Sequence, residues 1–125
     1  MFVAERPAPS QWPDWLLEGG SLVLGAVDDV YAPLRDDDLA GQRGRFATAV
    51  AEALRDGFRG IRVVADNTAL LGRPRDAERW LAWEPVADEL MAATPVTGLC
   101  AFDRGRVHPD RLRELRALHG ALVET

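Results

Sequence analysis

The sequence predicts an α/β fold: a mainly parallel sheet whose strands alternate with helices packed on its faces, giving three layers. Two observations carry this prediction. Short apolar or β-branched runs occur at Ser21–Gly25, Ile61–Ala65 and Pro95–Phe102, each too short for a helix and suited to a buried strand. Between and after them, apolar residues recur at helical spacing: Phe46, Val50, Ala53 and Leu54, then Trp80, Trp83, Ala87, Leu90 and Met91, then Leu112, Leu115, Leu118 and Leu122. Strands separated by helices of this length pair in parallel through right-handed crossovers.

The first nine residues, with Pro7 and Pro9, read as an extended arm. Ser10 then caps a short helix through Trp12, Trp15, Leu16 and Leu17 that stops at Gly19-Gly20. After the first strand, residues Asp28 to Asp38 are polar and broken by Pro33; the run Asp36-Asp37-Asp38 leads into a long helix, where acidic groups oppose the positive end of its dipole. Gly57 and Gly60 stop that helix, and Ile61-Arg62-Val63-Val64-Ala65 forms the second strand, closed by Asp66-Asn67. A loop with Gly72 and Pro74 precedes the second long helix. Pro85 lies inside it and predicts a kink or a break at Glu84, because proline removes a backbone donor and disfavours helical geometry in the preceding residue. His108-Pro109-Asp110 opens the last helix, with proline at its first position. Three strands make a thin sheet, which invites an added antiparallel strand or a dimer partner.

At 125 residues there is room for one hydrophobic core, so residues 1–125 read as a single domain, with an arm and short helix over 1–20 and an α/β core over 21–122. The 47% hydrophobic content is globular, no apolar run approaches a membrane span, and the start has no secretory leader pattern. The single cysteine, Cys100, fits a reducing cytoplasm. All 15 basic residues are arginine, and the absence of lysine excludes a Walker A phosphate loop and Schiff-base chemistry on lysine. A net charge of −5 without an arginine stripe argues against direct nucleic-acid binding.

The stretch Gly57-Phe58-Arg59-Gly60-Ile61-Arg62-Val63-Val64-Ala65-Asp66, continued by Trp80-Leu81-Ala82-Trp83-Glu84 and by Pro95-Val96-Thr97-Gly98-Leu99-Cys100-Ala101-Phe102-Asp103-Arg104, resembles the MEDS domain, the methanogen, methylotroph and DcmR sensory domain. The close Leu115-Arg116-Ala117-Leu118-His119 is similar to that family's Leu-x-x-Leu-His ending. The resemblance covers about residues 20 to 120 and implies a RecA- or KaiC-like α/β layer used for sensing in actinobacterial regulators. The family's amino-terminal strand and helix read as missing or reduced to Met1–Gly20, so the domain looks small and shortened.

In open parallel sheets ligands sit beyond the carboxyl ends of the strands. The candidate ligand residues are therefore Tyr31 in the stretch after the first strand, Asp66 and Asn67 after the second, and Asp103 and Arg104 after the third, with Glu84 approaching from the second long helix. Asp66 reads either as a carboxylate like the metal-organising acid of RecA-like ATPases or as a cap for backbone N–H groups. Asp103 with Arg104 reads as a ligand clamp or as a charge pair holding a loop. Glu84, flanked by aromatics, either has a raised pKa suited to proton chemistry or sensing, or pairs with Arg62 or Arg104.

Cys100 reads as a small apolar group, and His108 and His119 match no metal-ligand spacing. His119 favours the dipole at the end of the last helix. Trp12 and Trp15 read as an interface or as a lid on the sheet edge. The function expected is a non-catalytic sensory or regulatory module in signal transduction or transcription control, with no cofactor or metal, binding a small organic ligand, a signalling partner or a second copy as a homodimer. A metal-assisted hydrolase using Asp66, Glu84 and Asp103, and a purely structural dimerisation scaffold, are the competing classes.

Overall fold

The computed structural model of the chain describes residues 2–3, 18–19 and 23–119. The strands are β1 (Phe2–Val3), β2 (Leu24–Gly25), β3 (Ile61–Asp66) and β4 (Val96–Ala101). Helices α1 (Val27–Val30), α2 (Ala32–Arg35) and α3 (Leu39–Arg55) separate β2 from β3. Helices α4 (Thr68–Leu71) and α5 (Pro74–Ala93) separate β3 from β4, and α6 (Pro109–Leu118) follows. The sheet is parallel throughout, in the order β2-β1-β3-β4. Its long part is the β3–β4 pair, in register from Ile61 opposite Val96 to Asp66 opposite Ala101.

Handedness fixes where the helices go. The chain steps from β2 past β1 to β3, and then from β3 to β4, in the same direction across the sheet. Right-handed crossovers that advance in one direction lie on one face. Accordingly α3 and α5 touch, and Phe46 of α3 stacks on Trp83 of α5 with ring centroids 5.8 Å apart. The face they cover presents Val63 and Ala65 of β3, both buried, whereas Arg62 and Asp66 on the other face are exposed.

Local chemistry explains the helix ends. Asp38 caps α3 by accepting from the Gly41 N–H at 2.8 Å. Beyond the C-terminus of α3, Gly57 takes a positive φ of 92° and the Phe58 N–H donates to the Ala53 carbonyl, an ending that glycine allows without strain. Gly60 is required for a different reason. A β-carbon there would stand 2.2 Å from the Pro95 carbonyl oxygen, which accepts from the Ile61 N–H as β3 and β4 come together.

The arm contains β1, and this two-residue strand lies between β2 and β3, so the sheet is widened by a parallel strand of its own chain rather than by an antiparallel addition. The polar stretch from Asp28 to Asp38 holds two single-turn helices, and Val27, Tyr31 and Leu34, at i, i+4 and i+7, are buried core. The apolar face of α3 is narrower than its sequence pattern, since Leu54 is exposed, as is Leu118 of α6.

Pro85 does not break α5, which runs unbroken through it. Burial of Trp80, Trp83 and Glu84 before the proline and of Leu90 after it holds both halves on the same core, against a local cost of about 3 kcal/mol for a proline in a helix interior. The first half of the predicted first strand and the helix carrying Trp12 and Trp15 lie outside the described residues. No helix among the described residues is long and apolar enough to cross a membrane.

Candidate functional site

At the carboxyl ends of β3 and β4 the expected rim residues are joined in one local network. Asp66 Oδ1 accepts from both the backbone N–H (3.1 Å) and the hydroxyl (2.7 Å) of Thr68, capping the turn into α4. The Thr68 hydroxyl oxygen accepts in turn from the Asp103 N–H at 2.9 Å, and Asp103 Oδ1 accepts from the Gly105 N–H at 2.8 Å. Each acidic group here is engaged with nearby backbone. Asp28, after β2, pairs with Arg35 and Arg73, and the Arg73 guanidinium beside it holds its carboxyl below the ordinary range.

Tyr31 and Glu84 lie elsewhere, on a cavity between α5 and the covered face of the sheet. Its walls are Tyr31, the stacked pair Phe46 and Trp83, Leu90 and Met91, and its floor is Val63, Ala65, Val96 and Gly98 of the two long strands. Gly98 matters to its size, because a β-carbon at that position would already stand 3.3 Å from Met91 Sδ. The cavity volume is ≈ 100 Å³. An apolar cavity of about 150 Å³ holds benzene, so this one suits a molecule of only a few non-hydrogen atoms.

One end of the cavity is polar, built by three separate elements. Glu84 comes from α5, Cys100 from β4 and His119 from the residue capping the C-terminus of α6. Ligand-capable atoms of the three lie within 4.8 Å of one another. His119 Nε2 is 3.2 Å from Glu84 Oε2, and its Nδ1 is 2.7 Å from the Leu115 carbonyl oxygen. A carbonyl only accepts, so Nδ1 carries a proton and donates it, leaving Nε2 directed at the carboxyl group. The imidazole is further held by stacking on Trp80 at 6.3 Å.

Burial raises the Glu84 pKa; the nearby His119 opposes that shift and Asp88 adds to it. Burial, followed by the charge of Glu84, pushes the Cys100 thiol up to about 12. The side chain of Asn67 is fully buried with neither polar atom in a conventional hydrogen bond, and it lies close enough to Cys100 to favour the thiolate slightly, well short of offsetting burial. Tyr31 is likewise held neutral by burial.

The expected ligand set therefore divides. Asp66 and Asp103 belong to the rim network, with Arg104 next to it in the chain, while Tyr31 and Glu84 line the cavity. Asn67 stands between these regions, adjacent in sequence to Asp66 and near Cys100 in space. The partner of the Glu84 carboxylate is His119, where Arg62 or Arg104 is expected from the sequence. Cys100 and His119 are too far apart in sequence for any ligand-spacing rule, and only the resemblance of the Leu-x-x-Leu-His ending marked the histidine.

The family model for MEDS, the MEthanogen/methylotroph, DcmR Sensory domain, matches residues 4–120. The match begins at residue 4 rather than near residue 20, so it takes in most of the amino-terminal stretch that the resemblance leaves out. No curated protein and no solved structure matches the chain.

Proposed function

This chain belongs to the MEDS family of sensory domains, and on that premise we propose that it is a non-catalytic sensory module that takes a small organic ligand into the cavity between α5 and the β3–β4 face. The observation that carries the reading is the union, in one cavity, of an aromatic and aliphatic wall with a carboxyl–imidazole pair formed by the buried Glu84 and the half-buried His119. Pockets that recognise small molecules are mostly apolar, with a few polar groups fixing orientation. The volume limits the ligand to a few non-hydrogen atoms, and the polar end favours one with a hydrogen-bonding or acidic group.

The module acts in bacterial signal transduction or transcription control in the cytoplasm, and passes its state to a partner protein or to a second copy of the chain. A RecA- or KaiC-like three-layer arrangement is part of the same proposal, since parallel strands need cover on both faces. A metal-assisted hydrolase using Asp66, Glu84 and Asp103 is the weaker reading. Among the described residues Glu84 groups with Cys100 and His119 rather than with the other two carboxylates.

The test is a ligand screen on the intact chain with short carboxylates, alcohols and amides, read by melting temperature and by tryptophan fluorescence, because Trp83 lines the cavity. At least one class is expected to raise Tm and alter the emission, and Gly98→Val, which fills the cavity, should abolish both responses. Unchanged binding in a folded Gly98→Val protein, or no response to any class, would overturn the reading.

A further inference from the structure

The polar end of the cavity has an unresolved contact. With Nδ1 donating to the Leu115 carbonyl, a neutral His119 presents the lone pair of Nε2 to a carboxylate oxygen 3.2 Å away. Two acceptors at that distance repel unless a cation stands between them. A proton satisfies the pair, and so does a metal ion.

The geometry points to a metal: we propose that Glu84, Cys100 and His119 form a three-ligand site for a divalent transition-metal ion of zinc type, with its fourth position open to the cavity. The donor set is one carboxylate oxygen, one thiolate sulfur and one imidazole nitrogen, all common zinc ligands. Tetrahedral coordination at ordinary metal–ligand distances places nitrogen and oxygen donors about 3.3 Å apart, and nitrogen and sulfur about 3.6 Å apart. The observed 3.2 Å separation of His119 Nε2 from Glu84 Oε2 already meets the first value. The sulfur, within 4.8 Å of both, reaches the second by a small side-chain adjustment.

Three further features favour this occupant. The Leu115 carbonyl fixes the histidine tautomer, as backbone carbonyls do for metal-ligating imidazoles. A divalent ion with one carboxylate, one thiolate and one neutral imidazole is electrically neutral, which suits a site whose carboxylate is buried. Three protein ligands with one vacant position describe a site that binds a ligand rather than one that only braces a fold. On binding, the Cys100 S–H proton and any proton shared by Glu84 and His119 leave to solvent, since a coordinating thiol is deprotonated outright.

This deepens the cavity reading, because a small anionic or lone-pair ligand would complete the coordination, yet metal binding is measurable without it. The intact chain, stripped by chelator, is titrated with cobalt(II) and then with zinc. The expected result is one equivalent bound, with a thiolate-to-cobalt charge-transfer band and the intense visible bands of four-coordination, both displaced by zinc. Cys100→Ser should lose the charge-transfer band while keeping the fold by circular dichroism. Glu84→Gln and His119→Gln should each weaken binding at least about tenfold.

Absence of the charge-transfer band, or its survival in Cys100→Ser, overturns the inference. The organic screen is run in parallel on the metal-free protein. Cobalt binding with no organic response sinks the small-ligand reading alone. An organic response without a cobalt–thiolate signal sinks the metal site alone.

Discussion

Two polar regions lie close together in this molecule and follow opposite rules. At the rim, Asp66, Thr68 and Asp103 satisfy one another and nearby backbone through bonds of 2.7–3.1 Å, and the cluster ties α4 and the segment after β4 to the end of β3. At the cavity, Glu84, Cys100 and His119 are brought together from distant parts of the chain, beside a buried Asn67 amide with no conventional partner. Sequence position alone favours the rim, because it lies where parallel sheets bind ligands. Bonds that tie its carboxylates and hydroxyl to neighbouring backbone mark it as architecture. The cavity holds polar groups whose burial is costly without a further partner, which is the mark of a site.

The sharpest break in that comparison is Trp83→Ala, which removes a buried ring from the cavity wall and its stacking on Phe46. A loss of about 3–5 kcal/mol in denaturant unfolding is expected, with loss of any cavity ligand. Thr68→Val comes next. It retains the shape but removes the hydroxyl that accepts from the Asp103 N–H, and a loss of about 1–3 kcal/mol should appear with ligand binding in the cavity unchanged. If instead Thr68→Val abolished binding at little cost in stability, the roles of the two regions would be reversed.

Glu84→Gln has a smaller effect whose sign depends on pH. The folded-state pKa of Glu84 lies above its ordinary value, so between the two values the folded chain holds more protons than the unfolded one. Its contribution to stability is therefore full below the ordinary carboxyl pKa and is lost as pH rises through the raised one. The amide variant should flatten this fall, measured as Tm across pH 4 to 8 in metal-free buffer; a slope equal to that of the parent would remove Glu84 as its source. The smallest effect is expected at Asp37, which sits at a positive φ of 54° and joins Arg79 at 2.9 Å on the surface. Asp37→Asn should barely shift Tm, with any difference shrinking as salt is added.

Much of the fold is legible because it rests on local patterns. The β-branched run of β3, the strand from Val96 and the helix after Pro109 follow from residue type and punctuation. What escapes is whatever depends on distant partners. A two-residue strand such as β1 has no periodicity to read, and its place is set by pairing with β2 and β3. Val27, Tyr31 and Leu34 are masked by the aspartates and proline among them, although their spacing is helical. Pro85 misleads because propensity is local while the packing of Trp83 and Leu90 is not. In the site, Glu84 stands out by its aromatic neighbours, but Cys100 and His119 look inert until the end of α6 is folded back against α5.

The place of β1 has a consequence for how the chain reaches this structure. The earliest strand in the sequence occupies the middle of the sheet, and its Phe2 lies opposite Val64, so sealing it requires closing a loop of roughly 60 residues. Pairings of such long sequence separation form slowly. During synthesis β1 must wait for β3 to emerge before it has its second neighbour. From its emergence until β1 pairs with it, β3 offers an open edge to any other strand, including β1 of another copy, which makes crowded, rapid expression the condition under which strand exchange between chains competes with correct closure.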